Sequence, residues 1–436
     1  MPCCMAKEDG WFDWCQGLAI VHKNEDGKEY CLFHAPAEHK GISLQNFNEE
    51  IFRRIREAKR RDKNCDLSGT VFPGDIVFIC DDMKIPSLPP IDFEFATFSS
   101  GVNFRQATFD SMADFNHTEF NGMASFMETT FSDRAYFYGA RFKGKALFDG
   151  AIFKGSTIFD KVIFRDTCTF EGAIIRKTCV FDADTTFKVV SHLRDIDIQG
   201  RLNFIGTKVS NLSFLGTDLR KIEFKRPYWA QQKKTSPLLP WVSWSYDVLY
   251  DEIIADELYR NRKLEAEENW VEYYEKVEDL YRQLKQKNKE DHNEPLVSKW
   301  HFREKEVFRK KSLWRRRNPL SFTNLYWAFS GYGERPLRAM IMLLALLAGI
   351  TTLMNLECLG IISPSGETIK GFSWSLNLRK LGLCLKNTFE YSLFIKTPKF
   401  EAASTLGGII LLLTTKILIP LQGALFAFSL RNKFRR

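Results

Sequence analysis

Residues 124–142 read ASFMETTFSDRAYFYGARF, a stretch in which phenylalanine recurs at alternating intervals of five and six residues. A small or β-branched residue stands two positions before each of these phenylalanines. The same spacing extends in both directions, at Phe93, Phe98, Phe104, Phe109, Phe115, Phe120, Phe148, Phe153, Phe159, Phe164, Phe170, Ile175 and Phe181. After a break, large apolar residues return every five positions, at Phe204, Val209, Phe214, Leu219 and Phe224.

This spacing excludes the two ordinary kinds of secondary structure. A helix with 3.6 residues per turn cannot keep a five-residue stripe on one face, and a flat strand would need a period of two. A coil with four short sides satisfies the spacing, because each side contributes one inward phenylalanine and one inward small residue before it turns a corner. One such coil takes 22 residues. The sequence therefore predicts stacked coils whose large residues form a dry column.

On this spacing, residues 91–225 resemble a pentapeptide-repeat domain. The resemblance implies a right-handed quadrilateral β-helix. Residues 70–72 and Phe78 read as an early, imperfect coil, so we place the β-helix at 66–225. Together with segments further along the chain, the predicted fold class is mainly β, with a helical hairpin and two transmembrane helices added to the β-helix.

The charge pattern argues against one function known for such repeats. The chain of 436 residues carries a formal net charge of +8, but residues 91–225 hold 17 acidic and 17 basic residues and are neutral. Some pentapeptide-repeat proteins are described as mimics of DNA, which requires an acidic surface. We therefore expect neither mimicry nor a nucleic-acid partner. The ten cysteines lack a dense disulfide pattern, which is typical of a reducing compartment.

Residues 1–65 are predicted to form a small domain that could bind a metal. The candidate ligands are Cys3, Cys4, Cys15, Cys31 and His34. Tetrahedral zinc takes four nitrogen or sulfur ligands, typically as two short-spaced pairs brought together by a knuckle or hairpin, and the spacing here is not a standard C-x-x-C pair. Either Cys3 or Cys4 would complete a set of three cysteines and one histidine, and the zinc would be structural. The alternative is a small packed domain with free cysteines.

Two segments are expected between the β-helix and the C-terminal region. Residues 226–245 are rich in proline and tryptophan and read as a connector that caps the open end of the β-helix. Residues 246–330 are predicted to form a cytosolic helical hairpin and a basic juxtamembrane segment. An apolar face at helical spacing is formed by Val271, Tyr274, Val277, Tyr281 and Leu284. We interpret this face as core packing rather than as a cofactor site.

Residues 331–436 contain two long apolar segments, at about 339–356 and 402–430. Each is long enough to cross about 30 Å of hydrocarbon, and a buried core helix is the alternative. Basic residues flank both segments, so the positive-inside rule predicts cytoplasmic N- and C-termini with residues 357–401 outside. No secretory signal peptide is visible. We expect an integral protein of the cell (inner) membrane whose basic belt contacts membrane lipids.

Residues 331–436 also resemble the two-transmembrane, potassium-channel-like pore module that often follows pentapeptide repeats. The matching pieces are YGERP at 332–336, FEYS at 389–392 and the basic tail. A potassium filter presents backbone carbonyls from a sequence such as TVGYG. The corresponding place, LFIKTP at 393–398, has no glycine, so potassium selectivity is not supported.

Polar and small residues near the second apolar segment suggest two further roles. The candidates for lining or gating a pore are Lys416, Thr415 and Gln422. For Lys416, snorkelling or an interhelical hydrogen bond is the alternative. Small residues at the four-residue spacing that favours helix association are Ala403, Ser404, Gly407 and Gly408, which predict a homo-oligomer. Whether Cys358 and Cys384 form a disulfide in the outer loop stays open.

An enzyme is not indicated. The sequence has no phosphate loop, no dinucleotide fingerprint and no hydrolase or metalloprotease motif, and a β-helix filled with phenylalanine leaves no room for a substrate. Two hypotheses remain. The chain is either an oligomeric, channel-like membrane protein whose cytosolic repeats sense or assemble, or a membrane-tethered scaffold for protein–protein interaction without transport.

Overall fold

The structure is a computed structural model that describes residues 3, 13–78, 87–182, 184–235, 243–261, 267–312, 318, 320–354, 385–386, 388–389, 392 and 406–434. The chain forms two compact units, Met1–Lys287 and Asn288–Arg436.

A β-solenoid makes up most of the first unit. Its short strands stack in parallel into four sheets of eight, six, seven and five strands. Each strand pairs with the strand one coil later, as Ala113 does with Ala135 and Phe120 with Phe142. The coil length over the regular part is therefore 22 residues, as the phenylalanine spacing predicts, and about seven coils are stacked.

The strands of the four sheets have the following bounds. The eight-stranded sheet consists of Cys65–Asp66, Ile91–Asp92, Ala113–Asp114, Ala135–Tyr136, Thr157–Ile158, Thr178–Phe181, Arg201–Ile205 and Ile222–Lys225. The six-stranded sheet consists of Val71–Phe72, Thr97–Phe98, Glu119–Phe120, Arg141–Phe142, Ile163–Phe164 and Thr186–Phe187. The seven-stranded sheet consists of Ile76–Val77, Val102–Asn103, Ala124–Ser125, Ala146–Leu147, Cys168–Thr169, Ser191–His192 and Leu212–Ser213. The five-stranded sheet consists of Thr108–Phe109, Thr130–Phe131, Ile152–Phe153, Ile174–Ile175 and Asp197–Ile198.

Stacked phenylalanine rings form the core of the solenoid. Phe126 is nearly parallel to the rings one coil away, with centroids 5.0 Å from Phe104 and 4.9 Å from Phe148. The Phe137 ring contacts the Phe126 ring edge to face, with the ring centroids 5.8 Å apart and the ring planes at 89°. Offset-parallel and edge-to-face contacts are the arrangements that aromatic rings prefer. The predicted dry column is confirmed, since all four rings are fully buried.

Threonine at some of the small-residue positions satisfies a buried carbonyl. The Thr118 hydroxyl donates to the carbonyl of Phe93 at 2.8 Å, and the Thr129 hydroxyl donates to the carbonyl of Phe104 at 2.7 Å. Each of these carbonyls also accepts a backbone N–H at 2.9 Å, from Ala96 and from Ala107, so the threonine hydroxyl adds a second hydrogen bond. These positions therefore accept either alanine, which fills the gap, or threonine, which fills it and adds a donor.

Helix α1, Leu44–Arg60, covers the first coil. Ser43 caps its N-terminus by accepting a hydrogen bond from the backbone N–H of Asn46 at 3.2 Å. The buried face of the helix consists of Phe47, Ile51 and Ile55. The Phe47 ring lies 6.1 Å from the Phe72 ring in edge-to-face contact, so the helix extends the aromatic core beyond the first coil.

The segment after the solenoid differs from the prediction of a connector over 226–245 followed by helix. Ala230–Thr235 and Ser243–Val248 instead pair as an antiparallel hairpin, in register from Ala230 opposite Val248. Because the backbone of 246–248 completes this ladder, it cannot start a helix, and the first helix begins only at Tyr250. At the base of the hairpin, the Trp229 ring lies 4.9 Å from the ring of Phe224.

Where the helical hairpin was predicted, the described residues between 246 and 312 form three helices: α2 (Tyr250–Arg260), α3 (Glu267–Glu290) and α4 (Glu294–Lys310). Helix α3 buries the predicted aromatic face, apart from the half-buried Val271. Its fully buried Tyr281 accepts a hydrogen bond from the backbone N–H of Leu249.

Helix α2 closes the last coil of the solenoid through a buried carboxylate. Asp251 accepts hydrogen bonds from the Ser213 hydroxyl at 2.6 Å and from the backbone N–H of Phe214 at 2.9 Å. Helices α1 and α2 thus pack against the first and last coils, at the ends where strand edges could otherwise pair with another chain.

The second unit is helical in the residues that the structure describes. Helix α4 is followed by α5 (Phe322–Ser330), α6 (Pro336–Met354) and α7 (Leu406–Phe434), and Pro420 lies inside α7. Two stretches, Pro336–Leu353 and Leu413–Asn432, are long and apolar enough to cross a membrane, by length and composition alone.

Candidate metal centre and membrane helices

Four predicted metal ligands converge in the first unit. The N-terminal cluster consists of Cys3, Cys15, Cys31 and His34, and all four side chains are buried. Their candidate ligand atoms lie within 4.8 Å of one another. Cys4, the alternative to Cys3, lies outside the described residues.

Local structure explains how residues so far apart in sequence meet. Cys15 ends a short 3-10 turn, Asp13–Cys15, and Cys31 ends the second strand of a hairpin formed by Ile20–Lys23 and Glu29–Cys31. His34 follows in the next turn, where the backbone N–H of Ala35 donates to the carbonyl of Cys31. The hairpin thus supplies two ligands three residues apart, a spacing that structural zinc sites commonly use.

The distances fit a tetrahedral metal. The Nδ1 atom of His34 lies 3.5 Å from Sγ of Cys3 and 3.4 Å from Sγ of Cys31. Zinc–sulfur and zinc–nitrogen bonds of standard length at a tetrahedral angle would separate such atoms by about 3.6 Å. None of the three cysteines of the cluster is joined in a disulfide. The donor set therefore suits a metal that prefers sulfur and imidazole ligands.

Hydrogen bonds beyond the ligands fix their orientation. Nε2 of His34 donates to the backbone carbonyl of Ser68 at 3.0 Å, which leaves Nδ1 to face the cluster. Metal-bound histidines usually donate their other ring nitrogen in this way. The backbone N–H of Cys31 points to Sγ of Cys3 at 3.4 Å, and the Trp14 indole donates to the Ser68 hydroxyl at 3.0 Å. The Trp14 ring also lies 5.2 Å from the His34 ring.

Neighbouring groups shift the pKa values of Cys3 and His34 in opposite directions. Hydrogen bonds from Cys15 and Cys31 lower the pKa of the Cys3 thiol well below its usual range. Burial lowers the pKa of His34, but hydrogen bonds with Cys3 and Cys31 outweigh burial and raise it to about 9. Both shifts favour the charged forms, a thiolate at Cys3 and a protonated ring at His34. Metal binding would release the remaining protons of the cluster.

A buried lysine lies beside the cluster. The Nζ atom of Lys40 donates to the carbonyls of Leu32 and Phe33, at 2.9 Å and 2.8 Å. It also lies 4.8 Å from the centre of the Phe47 ring. Burial lowers the pKa of Lys40 to about 7, and its electrostatic interaction with Cys31 opposes part of that shift.

The structure gives two of the three pore candidates in α7 a packing role. Gln422 is buried, and its amide donates to the carbonyl of Phe329 at 2.9 Å and to the carbonyl of Ala339 at 2.8 Å. These carbonyls belong to α5 and α6, so Gln422 joins three helices. The buried Thr415 hydroxyl donates to the carbonyl of Leu411 within its own helix, at 2.7 Å.

The third candidate, Lys416, is half-buried in the middle of α7. Gly407 and Gly408 lie in the first turn of the same helix. Ala403, Ser404, Cys358, Cys384 and residues 393–398 of the filter-like stretch lie outside the described residues.

Both long apolar helices expose large side chains. Exposed on α6 are Leu337, Ile341, Leu344 and Leu353, and exposed on α7 are Ile410, Leu413, Ile417, Leu418, Leu421 and Phe428. Only 17% and 22% of the residues in the two apolar windows are buried. A core helix of a soluble protein usually buries most of such a surface, and these two helices do not.

Several residues of the metal site were not predicted from the sequence. The Ser68 carbonyl accepts a hydrogen bond from His34, and the Lys40 side chain donates to the two carbonyls between Cys31 and His34. Neither residue belongs to a recognisable metal-binding pattern. A lysine within a few residues of the pair Cys31 and His34 is a signal that could have drawn attention to Lys40. Ser68 is 34 residues from His34 and meets it only through the fold of the first coil.

Comparison with known families identifies the repeats. Residues 93–141 and 137–183 match the profile of the family described as pentapeptide repeats (9 copies). Both matched ranges lie in the solenoid. No curated protein and no solved structure shows significant similarity to the chain.

Proposed function

We propose that this protein is a membrane-tethered scaffold, in which a rigid pentapeptide-repeat solenoid presents its outer surface to a protein partner. The observation that carries the proposal is the fully packed interior, where buried phenylalanine rings occupy the space that a ligand would need. With the inside filled, the outer faces are the surfaces left for recognition. The proposed activity is binding rather than catalysis, and the neutral solenoid argues against a nucleic-acid partner.

We further propose the right-handed, four-sided cross-section that the resemblance implies. Four sheets and a 22-residue register support it, since each coil then contributes one strand to each side. Such a rod needs no ligand to stay rigid.

In the proposed scaffold, the N-terminal cluster holds one structural zinc ion. Three sulfurs and one imidazole nitrogen would fill all four tetrahedral positions, which leaves no open position for a substrate. The metal would join the N-terminal hairpin to the first coil, because His34 is hydrogen-bonded to Ser68. The role of the zinc is therefore to close one end of the rod.

Metal content tests this part of the proposal. We expect about one zinc per chain in the purified full-length protein, by the stoichiometry of one four-ligand site. His34→Ala should lose the metal and lower the melting temperature. Cys168→Ala is the matched control, because Cys168 is equally buried but lies in the solenoid wall away from the cluster. A wild type that folds without zinc would refute the centre.

For the tether, we propose that α6 and α7 cross the inner membrane with both chain termini in the cytoplasm. The exposed apolar faces of the two helices support contact with lipid, and the basic residues before α6 and after α7 support the orientation. Protease protection of tags at each terminus in inverted and right-side-out vesicles tests it. Cleavage of the two tags in opposite vesicle types would contradict the topology.

A channel-like homo-oligomer is the second candidate function. It is favoured by Lys416, a basic side chain in the middle of an apolar helix, and by Gly407 and Gly408, which allow close approach of a second helix. The hydrogen bonds of Thr415 and Gln422 within one chain weaken it, because they remove two polar groups from a pore.

The mass of the extracted protein and its ion flux distinguish a scaffold from a channel. The mass of the nanodisc-extracted protein gives the number of subunits, and two helices of a monomer cannot enclose a pore. Flux through proteoliposomes is then compared between the wild type, Lys416→Leu and the exposed control Lys289→Leu. The scaffold predicts background flux for all three. Flux that Lys416→Leu alone changes would establish the channel.

A further inference from the structure

We infer that Lys40 is the built-in counter-charge of the N-terminal cluster and sets its affinity for metal. Lys40 would act by positioning the ligand loop between Cys31 and His34, a role that rests on the zinc centre proposed above.

Lys40 is buried. The Lys40 side chain is 3% exposed, and it forms no ion pair with a carboxylate in the part of the chain that the structure describes. A buried ammonium is costly unless a negative charge lies close to it. Lysine is therefore a poor choice for filling this position, unless the neighbouring cluster supplies the negative charge.

With zinc bound, the cluster would carry a net negative charge. Metal-bound cysteines are thiolates and the bound histidine is neutral. Three thiolates around one divalent zinc leave one negative charge in excess. An ammonium group beside the site would make the buried assembly neutral, which lowers the cost of taking it out of water.

The ammonium group of Lys40 lies against the loop that carries two of the ligands. The carbonyls that accept from Lys40 belong to Leu32 and Phe33, the two residues between the ligands Cys31 and His34. The Phe33 carbonyl also accepts the backbone N–H of Val71, in the first coil of the solenoid, at 2.9 Å. Lys40 thus holds the ligand loop in the shape that the cluster requires and joins it to the solenoid.

Zinc affinity of the full-length protein, measured by competition with a chromophoric chelator, tests the inference. We expect Lys40→Met to bind zinc about 10- to 100-fold more weakly than the wild type, the range typical for groups that support metal ligands. Lys63→Met removes the same charge from an exposed site and should leave the affinity unchanged. Because affinity compares the loaded with the metal-free protein, a purely structural role would destabilise both forms equally and would not alter it.

Lys40→Gln separates charge from hydrogen bonding, since its amide can still donate to a carbonyl. We expect it to lose affinity as Lys40→Met does. Wild-type affinity in either variant would overturn the inference while leaving the zinc centre intact. Absence of zinc from the wild type would instead refute the centre itself, and that result is obtained before any variant is compared.

Discussion

At the scale of single residues, the outer face of the eight-stranded sheet carries an unfavourable arrangement of charge. Asp66, Asp92 and Asp114 lie at the same position of successive coils, because the strands that carry them pair in register. Each carboxylate accepts a hydrogen bond from the backbone N–H two residues later, as Asp92 does from Glu94 at 2.7 Å. Burial, together with the neighbouring carboxylates, raises the pKa of Asp92 to about 7.

The raised pKa gives a prediction for stability against pH. The folded state binds a proton that the unfolded state has already released, so stability falls as the pH rises from about 4 to 7. Asp92→Asn keeps the acceptor for Glu94 but has no charge. We expect it to stabilise the protein by about 1–2 kcal/mol at pH 8, after allowance for screening at a half-buried site.

Thermal unfolding of the full-length protein between pH 4 and 8 checks the prediction. The benefit of Asp92→Asn should grow up to about pH 7 and then level off, and it should be absent in the exposed control Asp133→Asn. A constant benefit at every pH would show that the charge of Asp92 is not its cause.

At the scale of elements, the corners of the solenoid leave almost no space between coils. A Cβ atom added at Gly155 would lie 2.1 Å from the backbone carbonyl carbon and oxygen of Asp133, one coil earlier. Neither atom can move without shifting the coil. At Gly101 the nearest atom is a side-chain oxygen of Asp75, at 3.1 Å, which can rotate away.

Alanine substitution at these two corners should therefore have unequal effects. We expect Gly155→Ala to lower the free energy of unfolding by about 3 kcal/mol, the upper part of the usual range for overpacking. Gly101→Ala should cost about 1 kcal/mol or less, as most substitutions away from a clash do. Denaturant titration of the two variants measures the difference. Equal losses would indicate that the backbone at Gly155 adapts.

At the scale of the whole molecule, the solenoid depends on an unbroken column of rings. Solenoid stability is close to a sum of coil terms and nearest-neighbour interfaces. A gap in the middle of the column therefore weakens two interfaces. Phe126 is such a middle position, since it contacts a ring on the coil before and a ring on the coil after.

Phe126→Ala should accordingly cost about 3–5 kcal/mol, the usual loss for a buried phenylalanine. Hydrogen exchange should increase on both sides of the gap, because the two neighbouring coils lose a common partner. Met123→Ala, on the exposed part of the same coil, is the control. Exchange that stays uniform along the solenoid would contradict the nearest-neighbour description.

The repeat made the solenoid predictable, whereas single contacts decided the parts that the sequence did not reveal. Phenylalanine at fixed spacing repeats the same signal in coil after coil, so a local exception such as Ile175 does not obscure it. The hairpin between Ala230 and Val248 has no such repetition, and its prolines and lysines hide the strand pattern. The hydrogen bonds of Gln422 could not be predicted either, because its partners, Phe329 and Ala339, are distant in sequence.

The candidate metal centre lies between these two cases. The residue types predicted a cluster of Cys15, Cys31 and His34 with one more cysteine, although they could not choose between Cys3 and Cys4. The contact of Ser68 with His34 follows from the tertiary fold alone, whereas Lys40 lies only six residues after His34 and donates to a carbonyl of the same loop.

The distribution of indole rings has a consequence for spectroscopy. No tryptophan occurs between Trp14 and Trp229, so the whole stack of coils contains none. Trp14 lies against His34 at one end of the stack, and Trp229 lies against Phe224 at the other. Intrinsic fluorescence excited at long wavelength therefore reports on the two ends of the rod and on the helices, and it does not detect the middle. Unfolding that begins in the central coils would be visible in circular dichroism before the emission changes.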